Sequence, residues 1–223
     1  MTELSRPPAD PSRAPASAHD AGANAAPPMP DDLRIGVVAY EMEGARTGVG
    51  RYLEGLLHGL TETDCPWRWT LFFKGPEVEH ALWDDPRIEP VFDDRADARP
   101  ILWEQIRLPR LMQRHALDVV FSPAYSLPAR PEQPSLVTIH DLSFERRASE
   151  FSLRERYRRR FLARRAARQA TRVLAGTEHI AHELQTTYGL PPEKLGIVPL
   201  AVDDDFQPVK GPGDRQALAA HGI

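Results

Sequence analysis

Four times in this chain a short apolar run breaks off into a glycine-rich or polar cluster. Arg34-Ile-Gly-Val-Val-Ala-Tyr40 leads to Thr47-Gly-Val-Gly-Arg-Tyr52, and Leu117-Asp-Val-Val-Phe121 to Ser122-Pro-Ala-Tyr125. Ser135-Leu-Val-Thr-Ile139 leads to His140-Asp141, and Arg172-Val-Leu-Ala175 to Gly176-Thr-Glu178. Short runs rich in Val, Ile, Leu or Phe read as strands. Seven are expected, near 34–40, 68–73, 88–92, 118–122, 135–140, 172–176 and 195–199. Helical periodicity lies between several of them. One helix begins at Gly48, with Tyr52, Leu53, Leu56, Leu57 and Leu60 on one side. A second covers about 99–115, with Leu102, Ile106, Leu108 and Leu111, and a third about 152–171. A fourth follows the N-cap Thr177 and ends at Gly189, before Leu190-Pro-Pro192. Strand–helix alternation predicts an α/β fold, a Rossmann-like doubly wound parallel sheet. In such sheets ligands bind at the carboxyl ends of the strands, so the four clusters are expected around one crevice.

Met1 to Pro30 holds seven Pro and eight Ala and has no apolar core segment. It is expected to be a disordered tail rather than a signal peptide. The expected boundaries are a tail over 1–32, the α/β domain over 33–206, and a linker over 207–223 that begins a second domain absent from the chain. Cys65 is the only cysteine, which excludes intramolecular disulfides and cysteine-based zinc sites and fits a reducing cytoplasm. A net charge of −4 argues against a general nucleic-acid binder. No apolar run approaches the ~18 residues needed to span a bilayer.

Charge is nevertheless unevenly spread. Arg146 to Arg172 holds eleven arginines against Glu150 and Glu155, a local net of +9. Leu153, Tyr157, Phe161 and Leu162 are expected to give this helix its core face. Its arginines are either a solvated surface or a site for anionic lipid head groups or phosphates.

Gly48-Val-Gly50 stands where a helix start could receive a phosphate, with Arg46 and Arg51 beside it. It is equally readable as a tight turn. It is not the dinucleotide fingerprint, because Leu53 stands where the third glycine belongs, and no Walker A sequence is present. That ranks a nucleotide-dependent oxidoreductase low. His140 at a strand end could be a base, a hydrogen-bonding group or a structural residue. Trp103 is expected to anchor the core, with Glu104 as a first-turn carboxylate. Asp203-Asp-Asp205 contains Asp-x-Asp but follows the last strand, beside the linker, and is set aside as a metal site.

Taken in order, these stretches resemble the N-terminal domain of a family-4 (group 1) glycosyltransferase of the GT-B fold. The matching segments are Gly48–Tyr52, Leu102–Gln105, Phe121–Tyr125, Val137–Leu142, Ala175–Glu178 and Val198–Asp203. Ala201 replaces a usual glycine, and His179 stands where a small or aromatic residue is commoner. The resemblance implies a retaining transfer of a sugar from a nucleotide-sugar donor to a glycan or lipid-linked acceptor, with no metal and no cofactor beyond the nucleotide-sugar co-substrate. It implies donor-phosphate contacts for Arg46, Gly48 and Gly50, and a place at the reacting centre for His140. Tyr125, Asp141 and Glu178 are candidate pocket residues. A C-terminal donor-binding domain with paired glutamates is expected as a partner, and a cytoplasmic location at the inner face of the membrane fits the Arg-rich helix. The rival reading is a non-catalytic Rossmann-like binding or membrane-association module, or a truncated remnant.

Overall fold

The computed structural model describes residues 30–44, 47–77, 79–93, 99–129, 131–147, 150–202 and 219. The expected disordered tail falls almost wholly outside them, as do Arg46 and Asp203–Asp205. Contacts divide the chain at Asp31, and every strand and helix belongs to the unit Asp32–Ile223.

All seven expected strands are present: β1 (Arg34–Val38), β2 (Arg68–Phe73), β3 (Ile88–Phe92), β4 (Val119–Ser122), β5 (Ser135–Thr138), β6 (Arg172–Ala175) and β7 (Leu195–Ile197). They form one sheet in the order β3-β2-β1-β4-β5-β6-β7, and every pairing is parallel. The central strands are buried on both faces, which is why they read as continuous apolar runs rather than alternating ones. β3 lies at an edge, where Pro90 removes no essential ladder hydrogen bond. The chain leaves β1 toward β2 and later returns to β4 on β1's other side. That reversal opens a crevice at the carboxyl ends of β1 and β4.

The helices are α1 (Gly48–Thr61), α2 (Pro100–Leu102), α3 (Leu108–Met112), α4 (Ser143–Arg146), α5 (Leu153–Gln169) and α6 (Glu178–Tyr188). The caps are as expected for α6. Thr177 Oγ1 accepts from the Ile180 N–H, and Gly189 closes the helix at φ 67°. Only glycine holds that left-handed backbone without strain.

Two helical faces depart from expectation. A π-helical turn, Trp103–Arg107, separates α2 from α3. The extra residue rotates the helical phase, so Leu102 and Ile106 point outward, while Trp103, Glu104, Leu108 and Met112 are buried. In α5 the buried side chains are Leu162, Ala163, Ala166 and Ala167. Leu153, Tyr157 and Phe161, expected in the core, are 84%, 77% and 59% exposed. The small alanines let α5 lie close against β5 and β6, so the bulky residues fall on the opposite side.

Three apolar clusters support the crevice. One joins α1 to β1–β3, a second joins Trp103, α3 and Leu117 to β1, β2 and β4, and a third packs α5 and α6 on β5 and β6.

Candidate active site

The start of α1 forms one wall of the crevice. Thr47 Oγ1 accepts from the Gly50 N–H at 3.0 Å. The Gly48 and Val49 N–H groups, first in the helix, have no acceptor among the described residues and carry the positive end of its dipole. The two glycines differ in purpose. A Cβ on Gly50 would lie 2.3 Å from the Glu41 carbonyl oxygen, so this glycine lets the β1–α1 connection cross the helix start. A Cβ on Gly48 would meet nothing within 4 Å. Open space at position 48 suits a ligand; position 50 is explained by packing alone. Glu43 pins the same connection, its Oε1 accepting from the Lys74 and Gly75 N–H groups at 2.5 and 2.8 Å.

His140 follows β5 and is half-buried. Its Nε2 lies 2.8 Å from the Pro123 carbonyl. A carbonyl only accepts, so Nε2 carries a proton, and in the neutral ring Nδ1 is left as an acceptor. The Tyr52 ring from α1 meets the imidazole edge-on at 4.8 Å, and its hydroxyl lies 3.2 Å from Thr138 Oγ1. His140 therefore ties together β5, the loop after β4, and α1.

Tyr125, beyond β4, lies against Phe144 and under the Arg159 guanidinium, 5.6 Å from the ring centre. Burial raises its hydroxyl above the ordinary tyrosine value, and the nearby Arg159 and Arg158 oppose the shift.

The remaining candidates sit on the same edge but do less. Asp141 Oδ1 accepts from the Ser143 N–H at 2.8 Å and shapes the turn into α4. Glu178 is exposed at the first position of α6, where an acidic side chain suits the helix dipole. No described contact joins either to His140 or Tyr125.

The most elaborate arrangement was not among the candidates. Glu104 is 3% exposed. Its Oε2 accepts from Ser126 Oγ at 2.8 Å and from the Tyr40 hydroxyl at 3.2 Å, and its Oε1 accepts from Gln105 Nε2 at 2.8 Å. Gln105 Nε2 also donates to the Leu127 carbonyl, and Arg165 donates to Gln105 Oε1 and to that carbonyl. Burial raises the Glu104 carboxyl above the ordinary range against these donors and the nearby Arg165. Burial also lowers Arg165, whose Nε has no partner, and raises Tyr40, which Glu104 pushes further. This network joins the ends of β1 and β4 to the helical segment behind them. The signal in the sequence was i, i+4 spacing: Glu104 shares a face with Leu108 and Met112.

Trp103, expected as an anchor, is fully buried and donates through Nε1 to Asp93 Oδ2 at 3.0 Å. Asp93 also pairs with Arg107.

A family model described as Glycosyltransferase Family 4 matches residues 46–206. No curated protein matches the chain. Among solved structures, the apo form of the lipopolysaccharide outer core galactosyltransferase WaaB is 12% identical, with 77% of this chain and 46% of that one covered at a TM-score of 0.45. A glycosyltransferase from Rickettsia africae is 14% identical, with coverages of 85% and 48% and a TM-score of 0.42. Anabaena HepE in complex with UDP and glucose is 13% identical, with coverages of 84% and 49% and a TM-score of 0.46. The chain spans less than half the length of each of these. The family match runs from the start of α1, through His140 and Glu178, past the end of β7, and the chain belongs to glycosyltransferase family 4.

Proposed function

We propose that this chain is the acceptor-side domain of a retaining glycosyltransferase, moving a sugar from a nucleotide-sugar to a glycan or lipid-linked acceptor. On this reading residues 33–206 form that domain, and 207–223 lead toward a donor-binding half. The observation that carries the proposal is the convergence at one carboxyl edge of the Gly48 and Val49 N–H groups, which have no acceptor among the described residues, with His140, whose Nδ1 is free to accept.

In the reaction the bond from the sugar's anomeric carbon to the diphosphate oxygen breaks, and its electron pair leaves with the diphosphate. A bond forms from the acceptor oxygen to that carbon, and the acceptor hydroxyl passes its proton to the departing diphosphate oxygen. Charge develops on the leaving diphosphate, and the start of α1 with Arg46 is suited to receive it. His140 Nδ1 would accept a hydrogen bond from a sugar or acceptor hydroxyl and orient it. Its Nε2–H bond to Pro123 fixes the ring for that task. Tyr125 would supply an aromatic wall, and Asp141 and Glu178 the outer pocket. No metal or cofactor takes part beyond the nucleotide-sugar.

His140→Ala in the enzyme containing this chain tests the assignment. The expected result is a fall in kcat of about 100-fold or more, with the circular dichroism spectrum unchanged. Full activity in that variant would remove His140 from the reaction.

A further inference from the structure

The outward face of α5 carries an unusual pairing of side chains. Leu153, Tyr157 and Phe161 recur every fourth residue and are 84%, 77% and 59% exposed. At 100° per residue, Arg154, Arg164 and Arg168 share that outward half of the helix, and Arg158 borders it. The other arginines of the basic segment are largely occupied. Arg146 pairs with Glu183, Arg159 with Glu155, and Arg160 and Arg164 with Glu145. Arg156 donates to the Phe144 and Glu145 carbonyls, and Arg165 to that of Leu127. Among the described residues the guanidinium groups of Arg154, Arg158 and Arg168 have no hydrogen-bond or ion-pair partner, and half-buried Arg158 lies near Tyr125. The raw +9 therefore overstates the attraction, and what remains is three arginines outside any ion pair around three exposed apolar groups.

We infer that this face of α5 docks on an anionic lipid surface. The apolar side chains enter the boundary between head groups and acyl chains, while the arginines keep their heads among the phosphates. The charges decide the occupant. A second copy would bring one cationic stripe against another, which opposes self-association. A neutral apolar partner would leave the three guanidiniums desolvated without compensation. α5 leads from the carboxyl end of β5, and Arg159 lies over Tyr125, so the N-terminal end of the stripe stands beside the crevice. An acceptor held in the lipid surface would reach the crevice from that side. The docking itself does not depend on the transfer reaction, and its test leaves that reading untouched.

The full chain is mixed with vesicles of phosphatidylcholine and phosphatidylglycerol in equal parts, and with vesicles of phosphatidylcholine alone, and sedimented. Binding to the anionic vesicles is expected, with little to the neutral ones. Arg154→Gln and Arg158→Gln should each weaken it by about fivefold. The combined Leu153→Ser, Tyr157→Ser, Phe161→Ser variant should weaken it by about tenfold or more. These positions are exposed, and unchanged circular dichroism is expected for each variant. In a separate Tyr157→Trp variant, emission should shift to the blue on anionic vesicles. No sedimentation, equal binding to both vesicles, a serine variant that binds as the parent does, or an unshifted spectrum would each overturn the proposal. So would a dimer in solution that the serine substitutions dissociate.

Discussion

Glu104 and Glu145 are both buried carboxylates that accept from three side chains, yet their surroundings are opposite in kind. Glu104 receives hydrogen bonds from a serine, a tyrosine and an amide, all neutral. Glu145 receives two guanidiniums, Arg160 at 2.6 Å and Arg164 at 3.2 Å, with the Tyr188 hydroxyl at 3.2 Å. Neutral donors satisfy lone pairs without balancing a charge, so burial raises Glu104 above the ordinary carboxylate range. Two cations do balance one. Glu145 is thus a strut between α4, α5 and α6. Glu104, behind the crevice, is a group whose proton is easily kept. The difference separates a carboxylate tied into ion pairs from one held in a buried network of neutral hydrogen bonds.

Removing the strut should have the largest effect. Glu145→Ala leaves two guanidiniums and a phenol without their acceptor, and a loss of about 3 kcal/mol in denaturant unfolding is expected. Glu104→Ala should cost less, about 1–2 kcal/mol, because losing three hydrogen bonds is offset by removing a desolvated acid. If Glu104→Ala proved the more damaging, the neutral network would be the stronger support and the contrast would fail.

Glutamine substitutions sharpen the comparison through pH. The raised folded-state value of Glu104 means that the folded protein holds this proton more tightly than the unfolded chain does. The resulting stability is complete below the ordinary carboxylate value of about 4.3, and it is lost as pH rises through the folded value. Glu104→Gln imitates the protonated acid at every pH. Its Tm should therefore exceed the parent's at neutral pH, with the gap closing on acidification. Glu145→Gln should lower Tm at neutral pH, by less as salt is added, because its arginine partners are partly exposed.

The smallest effect belongs to the crevice itself. Gly48→Ala meets open space and should change stability by about 0.5 kcal/mol or less. It should nonetheless weaken binding of a nucleotide-sugar, read by calorimetry. Unchanged binding would confine the phosphate role to other groups.

The strands and the caps of α6 were legible because local chemistry dictates them: apolar runs too short for helices, a threonine N-cap, a glycine at C′. The carboxyl-edge clustering followed from topology, and His140 with Tyr125 stood where that edge predicted. Two things were hidden. The π-helical turn shifted the phase of the segment around Trp103, so Leu102 and Ile106, which helical spacing groups with Leu108, turned outward. In α5 size misled, because the core took alanines and left Leu153, Tyr157 and Phe161 outside. Long-range pairing was equally invisible. Nothing in the sequence says that Pro123 takes the Nε2–H of His140, or that Glu145 gathers two arginines from the next helix.

The crevice at the carboxyl ends of β1, β4 and β5 is the proposed ligand site. Its most direct test is a titration of the isotope-labelled enzyme containing this chain with a nucleotide-sugar, followed by amide chemical shifts. The largest shifts are predicted at Gly48 and Val49, with smaller ones at Gly50, Ser122, Tyr125 and His140. Shifts confined to the β3 or β7 edge, or none at saturating ligand, would contradict it.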